Sequence, residues 1–291
     1  MTGSLTYAVV TPVRNEVENL PVLAACLAAQ EVPPEAWVIV DNGSTDATEA
    51  LAQDLATTVP WIVTVAAPGV DDNVRGGPIV RAFTAGLEAI PKPVDVVVKL
   101  DADVSFEPDY FARLLAAFEA DPSLGLSGGL CHELSDGVWR PLLGTRDHVT
   151  GASRAYRWDC LQAVLPLEER QGWDEIDAVK ARSHGWSVRT IMDLELRHHR
   201  REGTRDGARK IVWEAQGETA YYMGYRFSYL VLRALFRARR DRHALAMVSA
   251  YASARARRAP RCPDPSVQDF MRREQSLRRL PLRIREVLGK T

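Results

Sequence analysis

Two aspartates, separated by one residue, follow a run of apolar residues about a third of the way along the chain. Asp101 and Asp103 come directly after Val96-Val97-Val98-Lys99-Leu100, a run typical of a strand covered on both faces. Carboxylates held side by side at a strand end repel each other, so a cation is their natural partner. Hard oxygen ligands suit Mg²⁺ or Mn²⁺, which also bind phosphate oxygens. The pair therefore predicts a divalent metal site that stabilises a diphosphate leaving group.

Two further polar clusters, Thr11–Glu16 and Asp41–Asp46, follow apolar runs nearer the N-terminus. In the second cluster, Asp41 or Asn42 is placed to hydrogen-bond a base or a ribose. The residues after them suit a tight turn and a helix cap. Each cluster taken alone also fits an ordinary strand–turn–helix connection, so its chemistry depends on where the fold places it.

Alternating strands and helices are predicted to position these clusters. The predicted strands are Tyr7–Thr11, Trp37–Val40, Trp61–Ala66 and Val94–Leu100, and the helices between them are Glu18–Gln30, Thr45–Ala56 and Ile79–Ala89. We expect Pro12 to end the first strand and Ser44 or Thr45 to cap the second helix. The alternation indicates an α/β fold with a mostly parallel sheet flanked by helices. Ligands bind beyond the carboxyl ends of such strands, so the three polar clusters should converge at one edge.

The rest of the chain is predicted to be less regular at first and then helical. Gly125–Val149 suggests irregular strands, and the helices predicted after it are Gly151–Leu165, Asp174–His184, Tyr221–Arg240, His243–Arg258 and Val267–Leu288. We expect a catalytic domain at 1–215, with halves at about 1–105 and 106–215. A helical, arginine-rich region is expected at 216–291.

Four motifs, in this order and spacing, resemble glycosyltransferase family 2. They are TPVRNE, VDNGSTDAT, the segment from Arg75-Gly76-Gly77 to Gly86, and LDADVSFEPDY. The resemblance covers about residues 5–200. It implies a GT-A fold, which is Rossmann-like, and transfer of a sugar from a nucleotide-diphosphate sugar.

The resemblance also implies a set of binding residues. Those expected to bind the nucleotide sugar are Pro12, Arg14, Asn15, Glu16, Asp41, Asn42, Arg75, Gly77, Arg81, Asp101, Ala102 and Asp103. Many relatives have two aspartates where this chain has Asp41 and Asn42, so Asn42 is a mild departure. Asp103 would be the more direct metal ligand, with Asp101 beside it. His198 or His199 resembles the late histidine that completes the metal site in many GT-A enzymes.

The segment Trp173-Asp174-Glu175-Ile176-Asp177 resembles the acidic motif that supplies the catalytic base of inverting members. Asp174 and Glu175 are both candidates, with a narrow preference for Asp174. The order of the two acids is reversed relative to the usual motif. The alternative is that they cap a helix and complement its dipole. The expected acceptor residues are Gly151, Ser153, Arg154 and Trp173.

Charge is distributed unevenly along the chain. Its 37 Lys/Arg and 38 Asp/Glu nearly balance, yet residues 226–291 hold 17 basic and 5 acidic side chains. Aromatic side chains alternate with arginine near Tyr221–Phe227, as at a membrane interface. The basic region therefore predicts contact with an anionic membrane surface and a hydroxyl acceptor that is lipid-linked. The alternative is a solvated arginine-rich surface, and no nucleic-acid module is recognised.

Other features bound the location and the class of protein. Four scattered cysteines without metal spacing suit a reducing cytosol. We see no signal peptide and no apolar run of about 18 residues, so the chain is expected in the cytoplasm or peripherally on the inner face of the cell membrane. Rival functions are a retaining GT-A transferase and a catalytically degenerate scaffold at the membrane. A sugar-phosphate nucleotidyltransferase is disfavoured because TPVRNE lacks its glycine-rich phosphate loop.

Overall fold

The computed structural model describes residues 5–67, 76–135, 137–142, 149–199, 209–239 and 241–276. The chain divides into two compact units, Met1–Arg201 and Glu202–Thr291. The strands of the first unit are β1 Tyr7–Val13, β2 Ala36–Asp41, β3 Ile62–Ala66, β4 Val96–Leu100, β5 Val104–Ser105, β6 Leu124–Ser135, β7 Val138–Pro141, β8 Ser153–Arg157 and β9 Ser187–His198. Its helices are α1 Leu20–Ala28, α2 Thr48–Thr58, α3 Gly77–Glu88, α4 Tyr110–Ala120, α5 Trp158–Val164 and α6 Trp173–Ser183.

The nine described strands form one mixed sheet. Its order is β3-β2-β1-β4-β8-β6-β9-β5, and β7 pairs with β6 at the side. The first four strands in this order are parallel to one another, whereas β8 runs antiparallel to β4 and to β6. The predicted α/β class, with a mostly parallel sheet flanked by helices, is confirmed. Because β1, β2 and β4 point the same way, the segments that follow them lie at one edge of the sheet.

Apolar residues on both faces of the sheet explain why these strands are so deeply buried. Alternate residues of β1 enter different hydrophobic clusters, with Val9 in one and Val10 in the other. All five residues of β4 are buried, as expected for a parallel strand between two helical layers. Helix α3 lies so close to the sheet that a Cβ added at Gly86 would collide with the side chains of Val10 and Val40. This packing holds the carboxyl ends of the strands in place.

Several local predictions are wrong in ways that affect the site. Strand β1 continues through Pro12 to Val13, since proline is tolerated where its missing N–H costs no ladder hydrogen bond. Helix α2 begins only at Thr48, where the Asp46 side chain accepts a 2.9 Å hydrogen bond from the Thr48 N–H. The helix predicted at Gly151–Leu165 is instead β8 followed by α5, because the backbone of β8 pairs with β4 and β6.

The second unit is helical in the part that the structure describes. Its helices are α7 Arg209–Tyr222, α8 Phe227–Ala238, α9 Ala246–Ala256 and α10 Pro265–Glu274, with a 3₁₀ turn at Arg242–Leu245. The helix predicted at Tyr221–Arg240 is therefore interrupted, with Gly224 at φ 77°. Tyr221, Tyr222 and Tyr225 are buried, so they do not form the exposed interfacial stripe expected from the sequence. The end of the helix predicted at Val267–Leu288 lies outside the described residues.

Candidate functional site

The acidic pair and a distant histidine meet at the carboxyl edge of β4. Strand β5 pairs with β9 through Val104 and His198, which brings the imidazole to the loop after β4. His198 Nε2 lies 3.3 Å from Asp103 Oδ1, and both side chains are largely buried. Ligand atoms from Asp101, Asp103 and His198 all lie within 4.8 Å of one another. The structure thus assembles the three residues predicted to form the metal site, although metal binding itself stays a prediction.

The electrostatics of this group favour positive charge beside the two carboxylates. Burial alone would lower the pKa of His198, but Asp103, the Cys131 thiol and Asp101 outweigh it and raise that pKa to about 10. Burial raises the pKa of Asp101, and the neighbouring charge of Asp103 adds to that effect. The Nδ1 atom of His198 is buried and has no hydrogen-bond partner. Two carboxylates and an imidazole form a donor set that Mn²⁺ and Mg²⁺ accept, so the residues fit the predicted metal.

Lys99 is a member of this site that the sequence analysis did not identify. Its side chain is 2% exposed, and its Nζ donates to Asp101 Oδ1 and, at 2.7 Å, to the carbonyl oxygen of Gly151. The ammonium also lies 5.6 Å from the ring centre of Trp173. A lysine inside an otherwise apolar parallel strand was the available signal, since a charged side chain is rarely buried without a partner. Lys99 opposes the effects that raise the pKa of Asp101.

The loops after β1 and β2 are locked together by side-chain hydrogen bonds. Asn15, at φ 57°, accepts a 2.7 Å hydrogen bond from the Thr45 N–H. The Glu16 N–H donates to Thr48 Oγ1 at 2.8 Å. The Asp41 carboxylate accepts from the N–H of Gly43 and from the N–H and hydroxyl of Ser44. These contacts support the turns, which was the alternative that the sequence left open for both clusters.

The residues of these loops differ in what remains available to a ligand. Asn42 is 7% exposed, and its Oδ1 is buried without a hydrogen-bond partner. Arg14 is exposed, and Pro12 is half-buried. Ala102, between the two aspartates, is buried in the core. Their predicted role in binding a nucleotide sugar stays a prediction, and Asn42 has the clearest unmet hydrogen-bonding capacity.

Helix α3 contains two of the residues predicted to bind the nucleotide sugar, Gly77 and Arg81. Gly76, at φ 82°, precedes the buried Gly77, and an added Cβ at Gly76 would collide with the backbone of Arg170. Arg81 pairs with Glu169 at 2.5 Å while its Nε atom has no partner. Arg75, also predicted to bind the nucleotide, lies outside the described residues. The glycine pair therefore lets the chain pass close to the loop before α6.

The predicted catalytic acids stand in the first turn of α6. Gly172, at φ 81°, precedes the helix, and Asp174 and Glu175 are half-buried. A Cβ added at Gly151 would lie 3.3 Å from Asp174 Oδ2, so these two residues are neighbours. Since Lys99 donates to the Gly151 carbonyl, Gly151 stands between Lys99 and Asp174. Acids at a helix N-terminus also interact favourably with the helix dipole, so their location is compatible with both proposed roles.

Two residues expected to face an acceptor are completely buried. Ser153 hydrogen-bonds with the Tyr110 hydroxyl at 3.1 Å. Arg154 pairs with Asp177 at 2.5 Å and donates to the carbonyl oxygen of Asp174 at 2.9 Å. These contacts occupy both side chains inside the protein, because β8 is a central strand of the sheet. Their burial disfavours direct contact with an acceptor and indicates that Arg154 anchors the start of α6.

Trp173, the last of the residues expected to contact an acceptor, is also buried. Its ring lies 5.6 Å from the charged centres of both Lys99 and Arg154. The ring is therefore within cation–π distance of two buried cations at the first turn of α6. This arrangement agrees with a core role for Trp173, and Gly151 is the predicted acceptor residue that borders the Asp174 carboxylate.

The chain matches a known family over half its length. Residues 8–160 match the model of glycosyl transferase family 2. The polyprenol monophosphomannose synthase of Mycolicibacterium smegmatis is 30% identical over 200 residues, which cover 62% of this chain and 73% of that protein. The undecaprenyl-phosphate mannosyltransferase of Micrococcus luteus is 29% identical over 194 residues, with the same coverage. The matched region contains the acidic pair and the loops after β1 and β2.

Solved structures show the same fold. A mannosyltransferase from Pyrobaculum calidifontis, in complex with GDP-Man and Mn²⁺, aligns over 100% of this chain and 89% of its own, with a TM-score of 0.59 and 15% identity. TarS from S. aureus, in complex with UDP-GlcNAc, aligns over 97% of this chain and 82% of its own, with a TM-score of 0.58 and 15% identity. At this identity the likeness concerns the fold, and it confirms the predicted GT-A architecture.

Proposed function

Because the chain belongs to glycosyl transferase family 2, we propose that this glycosyltransferase is metal-dependent and inverting, and that it uses a nucleotide-diphosphate sugar and a lipid-linked acceptor. Glycosyl transfer itself follows from the family. The observation that carries the proposal is the group of Asp101, Asp103 and His198 at the carboxyl edge of the parallel strands. This is the edge at which ligands bind in open α/β sheets.

The donor would bind across the ends of β1, β2 and β4. Asp103 and His198 would hold the divalent metal, with Asp101 beside them. The metal supplies positive charge to the departing diphosphate when bound. Asn42, with its unpartnered Oδ1, is placed to receive a hydrogen bond from the base or the ribose. The buried strand β4 keeps the two carboxylates fixed, so little reorganisation is needed during the reaction.

The base would be Asp174, with Glu175 as the alternative. A general base must lie within hydrogen-bond reach of the attacking hydroxyl. Asp174 is the better candidate because it borders Gly151, which Lys99 ties to the acidic pair. A base behind the sugar permits a single displacement and therefore inversion at the anomeric carbon. Proton NMR of the first-formed product measures this directly, and a retained anomeric configuration would refute the inverting mechanism.

The acceptor proposal comes from the relatives. Both bacterial relatives are named for polyprenyl-phosphate chemistry. The attacking atom in this chain would accordingly be an oxygen of a lipid-linked molecule, either a sugar hydroxyl or a phosphate. A phosphate monoester has a second pKa of about 6 and is largely ionised at neutral pH. Its oxygen needs no general base, whereas a hydroxyl does.

A thermal-shift titration tests the donor site. UDP, GDP, TDP and CMP are each added with and without Mn²⁺. A ligand that binds only the folded state at one hundred times its dissociation constant raises stability by about 2.7 kcal/mol. We expect one nucleotide to give a metal-dependent shift that is lost in Asp103→Asn and kept in the exposed control Asp54→Asn. No shift with any nucleotide in a well-folded sample would refute the donor site.

Two acceptors in detergent distinguish the attacking groups. Undecaprenyl phosphate offers a phosphate oxygen, and an undecaprenyl diphosphate sugar offers hydroxyls. With the hydroxyl acceptor, Asp174→Asn is expected to lower kcat by 10²–10⁴-fold, the usual contribution of a general base. With the phosphate acceptor the same substitution should change kcat less than tenfold. A small effect with both acceptors would remove Asp174 from the base role, and Glu175→Gln would then be the variant that abolishes activity.

A helix in the second unit supports contact with a membrane. Leu232, Leu235 and Phe236 of α8 share one face and are 48%, 54% and 45% exposed. Arg239 lies on the same side, 5.6 Å from the ring centre of Phe236. An apolar face beside arginine, in a region rich in basic residues, suits the surface of an anionic bilayer. Among the described helices, none is long and apolar enough to cross a membrane.

Vesicle sedimentation tests this surface. The chain is mixed with vesicles of neutral or anionic phospholipid in moderate salt. We expect sedimentation with the anionic vesicles only, and its loss in the variant Leu232→Glu/Leu235→Glu. Val22→Glu, at an exposed position on α1, is the matched control and should sediment like the wild type. Wild-type protein that stays in the supernatant with anionic vesicles would refute the proposal.

A further inference from the structure

Lys99 is buried beside the proposed metal site, and its ammonium contacts other protein groups there. Its side chain is 2% exposed, and its ammonium donates hydrogen bonds to Asp101 and to the Gly151 carbonyl. The Trp173 ring covers it on another side. An ammonium is costly to remove from water even when it is paired. The burial of Lys99 therefore indicates that its charge has a function at this site.

The charges around the proposed metal indicate what the Lys99 ammonium does. With His198 neutral, as a metal ligand must be, Asp101 and Asp103 contribute two negative charges, and Lys99 cancels one of them through a direct ion pair. The affinity of a protein site for a divalent cation depends on the number of charged ligands and on their freedom to turn toward the ion. Lys99 reduces the net charge and also occupies one oxygen of Asp101.

We propose that Lys99 is a positioning residue that weakens the binding of the free metal ion and thereby makes stable metal binding depend on the diphosphate of the donor. The inference rests on the proposed metal-dependent donor site. With Lys99 in place the acidic pair alone is a weak cation site, and the phosphate oxygens supply the missing negative charge. A metal that arrives with the nucleotide and leaves with it does not stay behind on the empty enzyme.

The effect of the Lys99 charge is tested by measuring Mn²⁺ binding to the wild type and three variants. Binding is monitored by electron paramagnetic resonance in the absence of nucleotide. Relative to the wild type, Lys99→Met leaves one more negative charge, Asp101→Asn one fewer, and the double variant the same number. The dissociation constant for Mn²⁺ is expected to fall roughly tenfold in Lys99→Met and to rise in Asp101→Asn. In the double variant it should lie above that of Lys99→Met, because the net charge returns to the wild-type count while an oxygen ligand is lost.

A second measurement, the affinity for a nucleotide, should change in the opposite direction to the affinity for Mn²⁺. Without metal, the affinity for a nucleoside diphosphate should fall in Lys99→Met, because the site is more negative. General damage to the fold would instead weaken the binding of both ligands. Lys99→Arg retains the charge and should bind Mn²⁺ like the wild type. Lys99→Gln retains a hydrogen-bond donor without the charge and replaces Lys99→Met if the latter does not fold.

The outcomes separate this proposal from the proposed function. If the wild type binds Mn²⁺ with nucleotide but Lys99→Met and Lys99→Gln bind it no more tightly than the wild type does, the role given to Lys99 is wrong and the donor site stands. If the wild type binds no Mn²⁺ even with nucleotide, the metal site fails and the role of Lys99 fails with it. If both uncharged variants bind Mn²⁺ more tightly and the double variant reverses the effect, the charge account is supported.

Discussion

Replacing Arg154 with methionine should destabilise the first unit severely. Arg154 and Asp177 form an ion pair whose side chains are 0% and 1% exposed. The guanidinium also donates to the carbonyl oxygens of Val149 and Asp174. Methionine fills much of the volume but leaves the carboxylate of Asp177 buried without its counter-charge. The hydroxyl of Tyr156 still donates to Asp177 but carries no charge.

The magnitude follows from that burial. Removing one partner of a buried ion pair costs about 3–5 kcal/mol. For a unit of this size, each kcal/mol lowers Tm by about 2–4 °C, so the expected loss is about 6–20 °C. Burial raises the pKa of Asp177 to about 6, and Arg154 opposes this rise. Without Arg154 the pKa climbs further above its unfolded value, so the folded form binds more protons and the stability of the variant falls as the pH rises.

Thermal unfolding followed by circular dichroism measures these effects at pH 5 and pH 8. The deficit of Arg154→Met relative to the wild type should be larger at pH 8. Arg189→Met is the matched control, since Arg189 pairs with Asp121 at the surface and its loss should cost at most about 1 kcal/mol. The double variant Arg154→Met/Asp177→Leu removes both charges and should recover most of the loss. Equal destabilisation by the two single arginine variants, or no recovery in the double variant, would refute the reasoning.

Three other predictions concern the site and the second unit. His198→Ala should abolish the Mn²⁺-dependent part of any nucleotide-induced thermal shift, and an unchanged shift would remove His198 from the metal site. Gly151→Ala should lower kcat severalfold at unchanged donor KM, because the new methyl group would lie 3.3 Å from Asp174 Oδ2. Steady-state kinetics measure both constants, and an unaltered kcat would contradict this prediction. Asp241 has a pKa of about 2, lowered from 3.8 by hydrogen bonds from Trp213 and the His243 N–H, so it stabilises the fold above pH 3.8 and this stability is lost as the pH falls toward 2. Acid unfolding should show that loss in the wild type and not in Asp241→Asn.

The parallel half of the sheet was predictable because its signals are local. The apolar run before Asp101 predicts a strand, and the residues after Val40 predict a turn, each from a few neighbouring positions. Boundaries were less certain, as at Pro12, where the strand continues, and at Thr48, where the helix begins late. Hydrophobic periodicity does not identify which N–H groups will find sheet partners. The segment at Ser153–Arg157 was therefore predicted as helix, although strands β4 and β6 lie on either side of it.

By itself, the sequence determined the α/β class, the family and the acidic pair, since these depend on residue types at short spacing. Only the tertiary structure decided that the imidazole of His198 rather than that of His199 lies against the Asp103 carboxylate, because the register between β5 and β9 sets which imidazole turns inward. It also decided that Arg154 is an internal anchor and that Lys99 neutralises Asp101. A side chain's role in such a site depends on burial and on partners brought from distant segments. Those partners are fixed by the packing of the whole unit, which no local pattern records.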